Sequence, residues 1–176
     1  MYSWNTWFSE LAKDHLRAKG IDVLGGIISP VNDAYEKKGL LSAQHRIKMA
    51  ELAVQKYDFV RCSKWEVEQS QWIRTRNVLD EYSNQLAQMA KTGSGPNWLP
   101  NFELDDKEEL PQIFLVCGGD LIETFSVPGL WQETDITAIV RDYGLVVITR
   151  EGSNPEKYVY DHDILHQYRV SFQFYA

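Results

Sequence analysis

The run Gly118-Gly119-Asp120 stands where an apolar stretch, Gln112 to Cys117, hands over to residues with a helical pattern. Small residues at such a turn let a ligand approach the backbone, a helix N-terminus favours anions, and an acid there can hold ribose hydroxyls. The spacing is not G-x-G-x-x-G, so a plain strand–helix turn with Asp120 as a cap competes with a nucleotide site. Lys37-Lys38-Gly39 could set an ammonium on a phosphate, against the reading of two solvated loop lysines. Trp72 with Thr75 on one expected helix, and Trp131 after Pro128-Gly129-Leu130, could sandwich a flat ring. Tryptophans seven residues apart also fill cores. Arg150, at an expected strand end, could fork onto phosphate or sit at the rim.

Other constellations carry less. His162 and His166, beside Asp161 and Asp163, supply only two imidazoles and no H-E-x-x-H, which disfavours zinc. His15 falls on an apolar helix face and reads as a core residue. No Ser/His/Asp elbow, Walker loop or catalytic cysteine context is present, so the residues nominate no catalytic group.

The elements that would position these residues follow from periodicity. Phe8, Leu11, Ala12, His15 and Leu16 share one helix face that Gly20 can end. Val23 to Ile28 reads as a buried strand, and Ser29-Pro30 opens a polar loop to Gly39. Ser42 can cap a helix with Ile47, Ala50 and Val54 inward, and Phe59-Val60 hints at a strand. Ser63-Lys64-Trp65-Glu66 has the form of a capping box, opening a helix with Trp65, Trp72, Leu79 and Leu86 as its seam. Asp135 can cap a helix with Ile136, Ile139, Val140 and Tyr143 inward, closed by Gly144, and Leu145 to Thr149 reads as the next strand. Strands alternating with helices imply a parallel α/β sheet. Residues 91–111, with Gly93, Gly95, Pro96, Pro100, Pro111 and a cluster of acids, read as a solvated linker inside one domain spanning 1–176.

Composition bounds the partners. A chain of 176 residues is one domain, or at most one domain with an appendage, and can bury a core without disulfides or metal. The net charge of −7, with no basic block, argues against nucleic acid or an anionic membrane as main partner. No apolar run approaches the roughly 18 residues of a membrane helix. The two cysteines follow no metal spacing, and the start carries no secretion signal, so an intracellular place, nuclear or cytoplasmic, is expected.

Several motifs in order carry a resemblance: Gly26-Ile27-Ile28-Ser29-Pro30-Val31-Asn32-Asp33-Ala34-Tyr35-Glu36-Lys37-Lys38-Gly39-Leu40, His45-Arg46, Met49-Ala50-Glu51-Leu52-Ala53, Trp65-Glu66 with Trp72 and Thr75, Cys117-Gly118-Gly119-Asp120-Leu121, Pro128-Gly129-Leu130-Trp131 through Asp135-Ile136-Thr137 to Tyr143-Gly144-Leu145, and Thr149-Arg150. From Phe8 to about Arg169 the chain resembles the animal-type nicotinamide mononucleotide (NMN) adenylyltransferases. The resemblance implies a three-layer Rossmann-like nucleotidyltransferase fold with a parallel sheet. It implies joining of NMN or nicotinate mononucleotide to ATP, with Mg²⁺ accompanying the ATP, to give NAD or its acid form and diphosphate. It also places Lys37, with Tyr35 beside it and Lys38 assisting, at the NMN phosphate. Trp72 and Trp131 would hold the nicotinamide ring, and Thr75 and the Leu130 backbone its carboxamide. Gly118 and Asp120 would meet ribose, and Arg150 would make a further polar contact. Gly119 stands where the family usually has Ala.

The family also has a strand with G-x-F-x-P and a His before this region, and an I-S-S-T-x-x-R helix start after it; neither occurs in these residues. The expectation is therefore a domain truncated at both ends, an internal piece such as a splice variant, gene-model fragment or truncated paralogue. Such a piece is not expected to turn over alone. The alternative role is a non-catalytic chain that binds nicotinamide nucleotides or associates with full-length subunits, and a homo-oligomer is compatible with either.

Overall fold

The computed structural model of the chain describes residues 4–36, 38–95, 110–149 and 154–175. It divides into two compact units, Met1–Glu10 with Asp22–Pro111, and Leu11–Ile21 with Gln112–Ala176. Helix α1, Trp4–Ala18, buries Ala12 and Leu16 as its periodicity predicts. It ends at Gly20, whose φ of 78° lets its N–H donate to Arg17 O at 2.9 Å while Ile21 N–H donates to Leu16 O at 3.0 Å. That paired ending needs a left-handed residue, which glycine adopts without steric cost.

In the first unit, β1 (Gly26–Ile28) pairs in parallel with β2 (Val60–Cys62), Gly26 opposite Val60 and Ile28 opposite Cys62. The polar loop after β1 holds one 3₁₀ turn, Asp33–Tyr35, before α2, Ala43–Val54. Helix α2 buries Ala50, and Ser42 at its start bonds His45 Nδ1 at 2.8 Å instead of capping the backbone. Helix α3, Thr75–Thr92, buries Val78, Leu79, Tyr82 and Leu86 along one stripe.

The expected helix start at Ser63 is not formed: residues 65–71 are turns and bends, and α3 begins at Thr75. Ser63 Oγ accepts from Trp65 N–H at 3.2 Å, and Glu66 reaches instead to Ser29, 37 residues earlier, at 2.5 Å. A buried carboxylate with a long-range hydroxyl donor gains more than the exposed local box would, because an unpaired acid in the interior is costly. Only the Leu79–Leu86 half of the expected seam is helical, and Trp72 precedes the helix that begins at Thr75.

In the second unit, β3 (Leu115–Gly118), β4 (Leu145–Ile148) and β5 (Phe172–Tyr175) form a parallel sheet with β4 in the centre. Every residue of β4 is at most 1% exposed, as expected of a central parallel strand covered on both faces. Helices α4 (Gly119–Thr124) and α5 (Glu133–Ala138) connect β3 to β4, and α6 (Pro155–Asp161) and α7 (Asp163–Gln167) connect β4 to β5. Ile122, Ile136, Ile139, Val140, Val159 and Leu165 complete the buried core. Asp135 is buried at the third position of α5, and Gln132 holds the cap position expected for it. The helix then widens into a single π turn, Ile139–Tyr143, before Gly144. Gly144 has φ 113°, and a Cβ there would lie 2.9 Å from the Phe114 ring, so both backbone and space require glycine. Strand β5 has no counterpart in the sequence pattern. The parallel pairing implied by the alternation of elements is present in both units. Among the described residues no helix is long and apolar enough to cross a membrane. Of the expected 91–111 linker, Lys91 and Thr92 are the last residues of α3. Residues 96–109 lie outside the described residues.

Candidate nucleotide site

In the first unit the loop after β1 brings two nominated residues together. Tyr35, at the end of the 3₁₀ turn, stacks on Trp72 with ring centroids 5.8 Å apart and an interplanar angle of 29°. Tyr35 is 46% and Trp72 42% exposed, so this tryptophan presents its indole to solvent instead of filling the core. Lys38 is exposed three residues beyond Tyr35, and Thr75 is half-buried at the first turn of α3. Lys37 lies outside the described residues.

Three polar side chains hold the loop. Asn32, 8% exposed, donates through Nδ2 to Val67 O at 3.0 Å and Gln69 O at 2.6 Å, and accepts from Ala34 N–H at 2.8 Å. Arg46 donates to Val31 O at 2.6 Å, Leu41 O at 2.8 Å and Asp33 Oδ1 at 2.6 Å, spanning the loop from both ends. Asp33 also accepts from Ala43 N–H at 3.0 Å. That backbone bond first, and the Arg46 side chain second, hold its carboxyl below the usual aspartate range. Glu36 takes a left-handed φ of 50°, the positive-φ non-glycine position among the described residues, and closes the 3₁₀ turn. Sequence reasoning gave Asn32 and Arg46 no role. Asn32 carried a readable signal, since Asn in an S-P-V-N-D run favours a side-chain-to-backbone turn. Its two carbonyl partners more than thirty residues away carried none.

In the second unit, Gly118 ends β3 in extended conformation and takes the cap position of α4. Gly118 and Gly119 are buried, and Asp120 is exposed at the second position of the helix without making a side-chain cap. The competing reading of Asp120 as a cap is therefore not realised. Cys117, just before, is buried, and desolvation pushes its thiol up to about 12, which makes it inert at neutral pH. Trp131 donates through its indole N–H to Thr124 Oγ1 at 3.0 Å and meets Phe125 edge-on at 4.8 Å, fixing its ring against the end of α4. Leu130 beside it is 58% exposed. Arg150 lies outside the described residues.

The remaining candidates are structural in place. His162 Nδ1 accepts from Leu165 N–H at 3.5 Å at the start of α7, and His166 packs near the Tyr160 ring at 5.6 Å. His15 is half-buried, and desolvation first, then Lys19, lowers its pKa. Among the described residues no group of three or more His, Cys, Asp or Glu is placed to hold a metal ion. An open cleft of about 800 Å³ in the first unit is lined by Glu51, Arg61, Cys62, Lys64 and Trp65, and by none of the nominated residues. Its cations are engaged, Lys64 with Glu51 at 2.7 Å and Arg61 with the Tyr57 and Val60 carbonyls.

The cytidylyltransferase-like family model matches residues 9–173, running through both units. A nicotinamide/nicotinic acid mononucleotide adenylyltransferase 2 of Xenopus tropicalis is 31% identical over 91% of this chain and 73% of its own length. The chain belongs to the cytidylyltransferase-like family, among its nicotinamide/nicotinic acid mononucleotide adenylyltransferases. It is also similar to the nicotinamide-nucleotide adenylyltransferase of Drosophila melanogaster, at 47% identity over 91% of this chain and 44% of the relative. The Bos taurus nicotinamide/nicotinic acid mononucleotide adenylyltransferase 1 matches at 40% over 89% of this chain and 63% of its length. The chain thus spans about half the length of several relatives it matches. The family resemblance read from its motifs is borne out, and so is the Rossmann-like α/β class.

Proposed function

We propose that the chain serves adenylyl transfer in NAD biosynthesis: a phosphate oxygen of NMN or nicotinate mononucleotide attacks the α-phosphorus of ATP. The new P–O bond forms in line as the bond to diphosphate breaks. Mg²⁺ enters with ATP as part of that substrate, and such transfers rely on positioning and cations instead of a covalent nucleophile. The observation that carries the reading is the similarity to adenylyltransferases over nine-tenths of the chain. The exposure of Trp72 and its stacking on Tyr35 support it, because an indole on a loop can take a flat, electron-poor ring as a core indole cannot. In this reading residues 1–176 are one nucleotidyltransferase domain. Lys37 takes the nucleotide phosphate, with Tyr35 and Lys38 beside it. Trp72 and Trp131 each offer a face to nicotinamide, and Thr75 and the Leu130 backbone bond its amide. Gly118 and Asp120 take ribose hydroxyls, and Arg150 makes a further polar contact.

The experiment is calorimetric titration of the chain with NMN, nicotinamide riboside and ATP·Mg²⁺, beside an assay for NAD. NMN binds, Trp131→Ala loses about 1–3 kcal/mol of it, and Lys37→Met weakens NMN much more than the riboside, which lacks only the phosphate. No NMN binding by the folded chain, or equal losses for both ligands, would sink the assignment.

A further inference from the structure

The sequence marked Glu66 as half of a helix cap, and the structure gives it another task. Glu66 is 8% exposed, and its Oε2 accepts from the Ser29 hydroxyl at 2.5 Å. Ser29 in turn accepts from the Tyr82 hydroxyl, on α3, at 2.8 Å. Ser29 is the residue immediately after β1, where the loop that carries Tyr35 begins. Glu66 lies in the turn after β2, and that turn is braced within itself: Gln69 Nε2 donates to Trp65 O at 2.7 Å, and Trp65 N–H to Ser63 Oγ at 3.2 Å. The same turn offers Val67 O and Gln69 O to Asn32. The loop is therefore anchored to one rigid turn at two points three residues apart, and Trp72 follows that turn directly.

We propose that Glu66 is a positioning residue: through Ser29 it fixes the start of the loop on the turn that precedes Trp72, and so sets Tyr35 and Lys38 for the nucleotide. The second half of this statement rests on the function proposed above; the first does not. A hydroxyl relay ending on a carboxylate suits the task. Bonds to a charged acceptor are short and strong, and in a low-dielectric interior the alternative is an unpaired group. The burial that drives the Glu66 carboxyl above the usual glutamate range is opposed by the Ser29 bond and by the more distant Arg46 charge. Among the described residues the carboxylate bonds Ser29 and no nominated ligand-binding residue, so its effect passes through Ser29 and the loop.

The test uses the 176-residue chain with Glu66→Ala, Ser29→Ala and Glu66→Gln. Two quantities are read: the rate of tryptic cleavage after exposed Lys38 without ligand, and the affinities for NMN and for ATP·Mg²⁺. Glu66→Ala and Ser29→Ala should speed cleavage after Lys38 relative to other tryptic sites and weaken NMN about tenfold, the worth of one such bond, with ATP nearly unchanged. Glu66→Gln, which keeps an acceptor for Ser29, should restore both towards the parent. If Glu66→Ala does not fold, Ser29→Ala decides alone. Unchanged cleavage and NMN affinity, or equal acceleration at every tryptic site, would overturn the proposal. If the parent binds no NMN while cleavage after Lys38 still follows Glu66, the loop anchor stands and the nucleotide reading fails.

Discussion

The two units hold their candidate residues by different means. In the second, Gly118 and Asp120 sit at the end of a strand beside β4, which is entirely apolar and at most 1% exposed, and Trp131 is tied to the helix that follows. In the first, Tyr35 and Trp72 lie on loops flanking a two-stranded sheet of three residues a strand, and polar side chains fix them: Asn32, Arg46, and Ser29 with Glu66. Apolar burial is non-directional and tolerates small shifts, whereas a hydrogen bond to a named carbonyl fixes a loop's register. The second unit should therefore respond to lost volume and the first to lost polar partners.

The largest effect is expected from Leu145→Ala in β4, about 2–5 kcal/mol of stability from transfer and cavity costs together. Urea unfolding measures it, and a loss under 1 kcal/mol would mean that β4 is not the anchor described. Next comes Asn32→Ala, which strips one buried and one half-buried carbonyl of their donor and should cost about 1–3 kcal/mol. Its signature is faster cleavage after Lys38 with cleavage after exposed Arg141, in the second unit, unchanged; acceleration at Arg141 as well would erase the contrast between the units.

A smaller and pH-dependent effect separates Glu66 from Asp33. The folded pKa of Glu66 is raised, by burial first, against the Ser29 bond and the Arg46 charge. Its contribution is full below the ordinary glutamate pKa of about 4.3 and is lost as pH rises through the folded value. Glu66→Gln should therefore gain stability relative to the parent on going from pH 4 to pH 7. Asp33 is lowered, by the Ala43 N–H first and Arg46 second, so its contribution is present above about pH 3.9 and is lost as pH falls. A Glu66→Gln difference that is flat with pH would remove the buried-carboxylate account. The smallest effect is expected from Glu36→Gly. A left-handed non-glycine costs about 1–2 kcal/mol, and glycine's extra unfolded-state freedom returns about 0.5–1, so thermal unfolding should rise slightly or stay level. A clear fall would mean that the Glu36 side chain itself holds the loop.

The sequence by itself determined the parallel α/β class, α1 with its glycine ending, the buried strand Leu145 to Ile148, and the family. Each follows from local signals: helical spacing, a continuous apolar run and short motifs in a fixed order. It misplaced the start of α3, because Ser63-Lys64-Trp65-Glu66 satisfies a capping rule locally while Glu66 is claimed by Ser29, 37 residues away. It did not find β5, whose Phe172 and Phe174 become a strand only beside Leu145 and Val147. It left Trp72 open between core and ligand face. Whether it fills the core depends on what surrounds the side chain, and only the tertiary structure decided that it does not, by ending the turn before α3 and setting the indole on Tyr35 in solvent. The physical reason is common to all three. Spacing along the chain reports periodic burial, but the partner of a single buried polar group or ring is chosen by residues that the chain brings near only when it is folded.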